Sequence, residues 1–136
     1  MIVLLDLDVV LDFALDRAPF AEASAQLLDK LAAKRGGAFI AGHSIANFCY
    51  IVTPKRSGKS AKDFLIRLTR FVEVAPIDTK SFHYAANLPM GDFEDAMQVA
   101  SAVACQADVI ATRNLRDYAN SPIRAVAPKD LIGQLK

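Results

Sequence analysis

Short, unbroken apolar runs alternate with longer stretches of helical periodicity along the whole chain. The runs are MIVLL at 1–5, AFIAG at 38–42, VEVAPI at 72–77, DVIAT at 108–112 and IRAVA at 123–127. Each is too short for a buried helix and predicts a strand, the first of them covered on both faces. Between them, apolar residues recur at helical spacing. Leu27, Leu28, Leu31 and Ala32 do so after Pro19, and Gly36-Gly37 ends that helix. HSIANFCYIV reads as a helix stopped at Thr53-Pro54, and residues 60–71 as an amphipathic helix with Phe64, Leu65, Leu68 and Phe71 on one side. DTKSFHYAANL carries an Asp78 N-cap, and GDFEDAMQVASAVACQA is the clearest helix of all, capped by Asp92. PKDLIGQL closes the chain, with Pro128 near its first turn.

Strand–helix alternation of this kind predicts a three-layer α/β sandwich with a mainly parallel central sheet, as one domain over 1–136. In such sheets, sites form beyond the carboxyl ends of the strands. The positions to watch are therefore Asp6 with Asp8, His43 with Ser44, and residues 112–117.

Composition narrows the choices. The length, 136 residues, suits one domain with a sizeable core, and 53% hydrophobic with 23% charged residues is globular. A formal net charge of +1 excludes a globally basic nucleic-acid binder, so any such contact needs a local patch. Cys49 and Cys105 lie in apolar surroundings and read as reduced thiols of a cytoplasmic protein. Two cysteines with His43 and His83 do not make a metal-ligand spacing. No stretch resembles a signal peptide, and none is long and apolar enough to span a membrane.

The acids carry the chemistry. Asp6 follows four apolar residues directly, a place where a carboxylate is costly unless hydrogen-bonded, paired or bound to metal. Asp8, two residues on, falls on the same side if the strand continues. Asp12 reads as a turn acid. Asp92 and Asp95 are spaced i, i+3, so both project from one face of a helix start, whereas Glu94 points elsewhere. Asp117 follows the fourth strand in a loop that also carries Arg113, Asn114 and Arg116. Oxygen ligands converging without His or Cys select Mg²⁺ or Mn²⁺. Such ions polarise phosphoryl oxygens and generate a hydroxide nucleophile, so the chemistry is that of phosphate esters.

Two families open on a strand ending in such acids. Asp6-Leu7-Asp8 resembles the first motif of haloacid-dehalogenase-type phosphatases, in which Asp6 would be a covalent nucleophile. GDFED, however, is one residue short of that family's late acidic motif and is followed by a helix instead of preceded by a strand. The PIN-domain resemblance runs along about 130 residues. LLDLDVVLD resembles the opening strand, DFEDAMQVASA the helix-starting Asp-Ala segment, ADVIATRNLRDY the late strand and loop, and SPIRAVAPKDLI the final strand and helix. The likeness is greatest to bacterial toxins of the VapC type.

This resemblance implies a sheet of order 3-2-1-4-5 and a metal-dependent endoribonuclease, the toxin of a type II toxin–antitoxin pair. It implies Asp6, Asp95 and Asp117 as catalytic, with Asp92 joining them around the metal. Asp8, Asn47, Thr112 and Asn114 would support them. The chain departs from the family in two places: Asn47 stands where a Glu is common, and Asp8 where Asn is usual. Asp8 would restore the charge that Asn47 lacks. A PIN fold that binds RNA or a partner without cutting is the competing expectation, and the phosphatase a remote one. The implied substrate is RNA, with Arg113 and Arg116 positioning its backbone, and Lys55, Arg56 and Lys59 form a second basic group. The implied partners are a small antitoxin and a second copy of the chain, with helix 60–71 as a surface for either.

Overall fold

The computed structural model describes residues 1–34 and 36–135. Five strands form one parallel sheet in the order β3-β2-β1-β4-β5. They are β1 (Val3–Leu5), β2 (Ala38–Ile40), β3 (Val72–Val74), β4 (Val109–Ala111) and β5 (Ala125–Val126). All four pairings are parallel, as the strand–helix alternation predicts. The central strands β1 and β4 are buried at every position, as expected for strands covered on both faces.

The helices are α1 (Leu7–Ala14), α2 (Ala21–Ala33), α3 (Gly42–Val52), α4 (Gly58–Leu68), α5 (Thr79–Ala86), α6 (Phe93–Ala104) and α7 (Pro128–Leu131), with 3₁₀ turns at Leu115–Tyr118 and Ile132–Gln134. One apolar core lies between the sheet and α1, α2, α3, α4 and α7, built on Val3, Leu5, Leu27, Ile40, Phe48, Leu65 and Leu131. The other face packs Leu4, Val99, Ala102 and Ile110 under α6. Among the described residues, no helix is long and apolar enough to cross a membrane. The predicted continuation of the second helix through position 35 lies outside the described residues.

Two expectations about the first acids change. The opening strand ends at Leu5, and α1 starts at Leu7, so Asp6 and Asp8 do not share one side of a strand. Asp6 is instead the N-cap of α1 and accepts a hydrogen bond from the Leu7 amide at 2.8 Å, while Asp8 lies in the first turn. Helix α1 was not read as a separate element because only Asp6 stands between it and β1, so its apolar residues continue the opening run. Asp78 and Asp92 cap α5 and α6 as predicted, Asp78 through a full capping box.

Candidate metal centre

The register of the sheet builds the site. Leu5 pairs with Ala111, so the next residues, Asp6 and Thr112, emerge side by side at the carboxyl edge. The Asp6 amide donates to the Ala111 carbonyl at 2.9 Å, which closes the seam. Leu5 also pairs with Ile40, and α3 begins just beyond β2 on the same edge. The start of α6 brings Asp92, Glu94 and Asp95 over this edge, and a cavity of about 370 Å³ opens there. Asp6, Asp8, Asn47, Glu94, Asp95 and Asn114 line it, with Arg17, Arg113 and Tyr50 at its sides.

Thr112 is fully buried and holds the first two acids together. Its Oγ1 lies 2.9 Å from Asp6 Oδ2 and 3.1 Å from Asp8 Oδ2. The Asn114 amide donates to the same hydroxyl at 3.1 Å, leaving its proton for the carboxylates. Asp8 Oδ2 also accepts from the Arg113 amide at 3.2 Å and from Asn114 Nδ2 at 2.9 Å. Tyr118 donates its phenol proton to Asp6 Oδ2 at 3.0 Å. That contact, together with burial, raises the phenol pKa, so Tyr118 stays a donor.

The electrostatics are those of carboxyls packed closely together. Burial, followed by the neighbouring Asp8 charge, pushes the Asp6 carboxyl up to about 7. Burial, followed by the charge of Asp92, pushes Asp95 up to about 7 as well. Burial raises Asp8 too, against the hydrogen bonds from Thr112 and Arg113. Asp8 Oδ1 is buried with no hydrogen-bond partner among the described residues. Asp92, Glu94 and Asp95 each bring one oxygen within 4.8 Å of the others. An oxygen-only donor set, two carboxyls held above their usual range and one orphaned carboxylate oxygen fit a hard divalent cation.

The other expected residues fall around this centre. Asp117 and Arg116 are exposed in the 3₁₀ turn and line a smaller adjoining cavity with Asp92 and Asp95. Asp95 is thus common to both cavities. Asp92 is the N-cap of α6, its Oδ1 accepting from the Asp95 amide at 3.2 Å. Arg113 does not extend freely. Its Nε donates to Asp12 Oδ2 at 2.7 Å and its Nη2 to Asp12 Oδ1 at 3.3 Å, and its guanidinium lies 4.3 Å from the Phe20 ring centroid. Asp12, expected as a turn acid, is a buried ion-pair partner at 1% exposure, with Arg17 3.7 Å away on its other side.

Glu94 was expected to point away and instead lines the central cavity. Its Oε1 lies 3.2 Å from His43 Nε2 and accepts from Gln98 Nε2 at 3.2 Å. The His43 hydrogen bond, more than any other contact, holds the Glu94 carboxyl below its usual range. Tyr118 was legible only as the aromatic after Asp117, and nothing local marked it as a partner of Asp6.

The chain is thus a parallel α/β domain of order 3-2-1-4-5 with acids gathered beyond β1 and at the start of α6. The profile of the PIN domain matches residues 2–116, and the chain belongs to the PIN-domain family. That match ends one residue before Asp117. No curated protein sequence matches the chain. Among solved structures, the chain resembles VapBC2 of Rickettsia felis bound to a promoter DNA fragment, with TM-score 0.71 and 17% identity over 93% of this chain and 98% of that one. It is similar to a toxin–antitoxin complex from Klebsiella pneumoniae, with TM-score 0.70 and 17% identity over 93% and 97%. It is also similar to VapC20 of Mycobacterium tuberculosis, described as a sarcin–ricin loop cleaving toxin, with TM-score 0.66 and 12% identity over 90% and 98%.

Proposed function

We propose that this chain is a metal-dependent endoribonuclease that hydrolyses RNA phosphodiester bonds, the toxin of a type II toxin–antitoxin pair. The observation that carries the reading is the pair Asp6 and Asp95, two carboxyls in one cavity both raised to about 7 by burial and by neighbouring acids. Membership of the PIN-domain family supports nucleic acid as substrate.

Asp6, Asp95 and Asp8 would hold Mg²⁺ or Mn²⁺, with Asp92 and Asp117 contributing from the adjoining cavity. Bound there, the ion supplies charge to the phosphoryl oxygens and lowers the pKa of water. The chain's own residues do the rest. Thr112 and Tyr118 fix the Asp6 carboxylate through one oxygen and leave Oδ1, which already caps α1, facing the helix start. Asn114 and the Arg113 amide fix Asp8 in the same way. Arg116, exposed beside the acids, is placed to steer a phosphate backbone toward them. Tyr50, 84% exposed at the cavity wall, offers a ring on which a base can stack.

The partners proposed are a small antitoxin and a second copy of the chain. The structures of Rickettsia felis VapBC2 and the Klebsiella pneumoniae complex each pair a similar fold with an antitoxin. Part of helix 60–71 is taken by the core through Ala61, Leu65 and Leu68, while Phe64 and Phe71 line an open apolar groove with Phe13 and Leu28. That groove is the surface available to either partner.

One observation favours the alternative, a binding module that does not cut: Asn47, neutral, lines the cavity where the resemblance places a Glu. Titration calorimetry with Mn²⁺ separates the two readings. A cutting enzyme binds the ion and loses that binding in Asp6→Asn, whereas absence of Mn²⁺ affinity would leave only the binding module.

A further inference from the structure

His43 and Ser44 start α3, Glu94 and Gln98 lie one turn apart on α6, and the four meet across the gap between these helices. Gln98 is fully buried. Its Nε2 donates to Ser44 Oγ at 2.9 Å and to Glu94 Oε1 at 3.2 Å. His43 Nε2 approaches the same Oε1 at 3.2 Å. The far sides of both strap residues, Gln98 Oε1 and His43 Nδ1, are buried without a partner among the described residues. Unpaired buried polar atoms are costly. A strap that leaves two of them unmade is poorly explained as simple stabilisation of helix packing. What it does accomplish is to aim one carboxylate. Both donors converge on Oε1, and the carboxylate so held lies within 4.8 Å of the Asp92 and Asp95 oxygens and shares a cavity with Asn47.

We propose that Glu94 is a working carboxylate of the cation site, aimed there by His43 and Gln98, and that it supplies the negative charge which Asn47 does not. The inference rests on the reading of this cavity as a divalent-cation site. His43 and Gln98 are positioning residues and act only through Glu94.

The test is calorimetric titration of the purified full chain with Mn²⁺ alone, at one pH, with the melting temperature of each metal-free variant measured alongside. Glu94→Gln is expected to weaken Mn²⁺ binding about tenfold or more. Adding Asn47→Glu to Glu94→Gln is expected to restore most of the affinity. His43→Ala is expected to weaken binding in the native background and to add nothing in the Glu94→Gln background, a non-additivity that general destabilisation does not produce. Native-like Mn²⁺ affinity in Glu94→Gln, while Asp6→Asn has lost it, would overturn this inference and leave the cation site standing. Full additivity of His43→Ala and Glu94→Gln would overturn the role of the strap. A native chain that binds no Mn²⁺ would overturn the cation-site reading and this inference with it.

Discussion

Arg113, partly exposed, and the buried Asp12 form a two-point ion pair at 2.7 and 3.3 Å, joining the loop after β4 to the middle of α1 across 101 residues of sequence. The pair sits directly behind the acidic cavity, and the Arg113 amide touches Asp8. It therefore fixes the loop that carries Thr112 and Asn114 against the helix that carries Asp8.

Arg113→Ala leaves Asp12 buried with only Arg17 at 3.7 Å. Removing one partner of a buried pair costs about 3–5 kcal/mol when the remaining charge is orphaned, and Arg17 should reduce this to roughly 2–4 kcal/mol. Arg116→Ala should leave stability within about 0.5 kcal/mol and weaken RNA binding instead. Urea unfolding of both variants and a salt-dependent RNA-binding assay check the division of roles. Equal, small stability effects would show that the ion pair is not a brace.

The Asp6 and Asp95 carboxyls, both raised to about 7, set a pH dependence with a definite sign. A folded pKa above the unfolded carboxylate value means that the folded state binds the extra protons. Stability from these groups is present below about pH 4 and is lost as pH rises through about 7. The metal-free protein should therefore melt at a lower temperature at pH 8 than at pH 5. Asp6→Asn should flatten the fall, and Mn²⁺ at pH 8 should reverse it. A native melting temperature that rises steadily across this window, unaltered in Asp6→Asn, would contradict the assignment.

Thr112→Val keeps the shape of the side chain and removes the hydroxyl that both Asp6 and Asp8 share. Loss of a hydrogen bond to a charged group costs about 1.5–3 kcal/mol, and loss of a group that orients a ligand costs about 10–100-fold in metal affinity or activity. Tyr118→Phe removes one of several contacts to Asp6 and should fall at the lower end. Calorimetry with Mn²⁺ ranks the two. Affinity unchanged in Thr112→Val would mean that Asp6 and Asp8 do not need to be tied together.

Much of this arrangement was readable from the chain, for reasons that differ from residue to residue. Asp6 and Thr112 were legible because each directly follows a run too apolar to be anything but a central strand. Asp92 and Asp95 were legible through capping and helical spacing, which are local. Glu94 was misjudged because helical spacing gives direction relative to its own helix only. Its target is set by how α6 lies against α3, and the deciding contacts come from His43 and Gln98. Asp12 and Arg113 were judged separately for the same reason: the ion pair that defines both spans 101 residues. Asp8 was placed on a strand because α1 begins one residue after β1 ends, with no turn residue to mark the break. Its partners are nevertheless those of the site: Thr112, Arg113 and Asn114.

Asp117 and Asp95 differ in setting, and the difference predicts an order of effects. Asp95 lines both cavities, whereas Asp117 is exposed and lines only the outer one. Asp95→Asn should lose more activity and more Mn²⁺ affinity than Asp117→Asn. The reverse order, measured by initial rates at saturating Mn²⁺, would move the centre of the site outward to the Asp92–Asp117 cavity.

The most direct measurement is cleavage of end-labelled single-stranded RNA by the purified chain, with Mn²⁺ or Mg²⁺ and with chelator, alongside Asp6→Asn and Asp95→Asn. The account predicts discrete products that need the divalent ion and disappear in both variants, whose circular dichroism remains native. Cleavage that persists in chelator or survives both substitutions would contradict it.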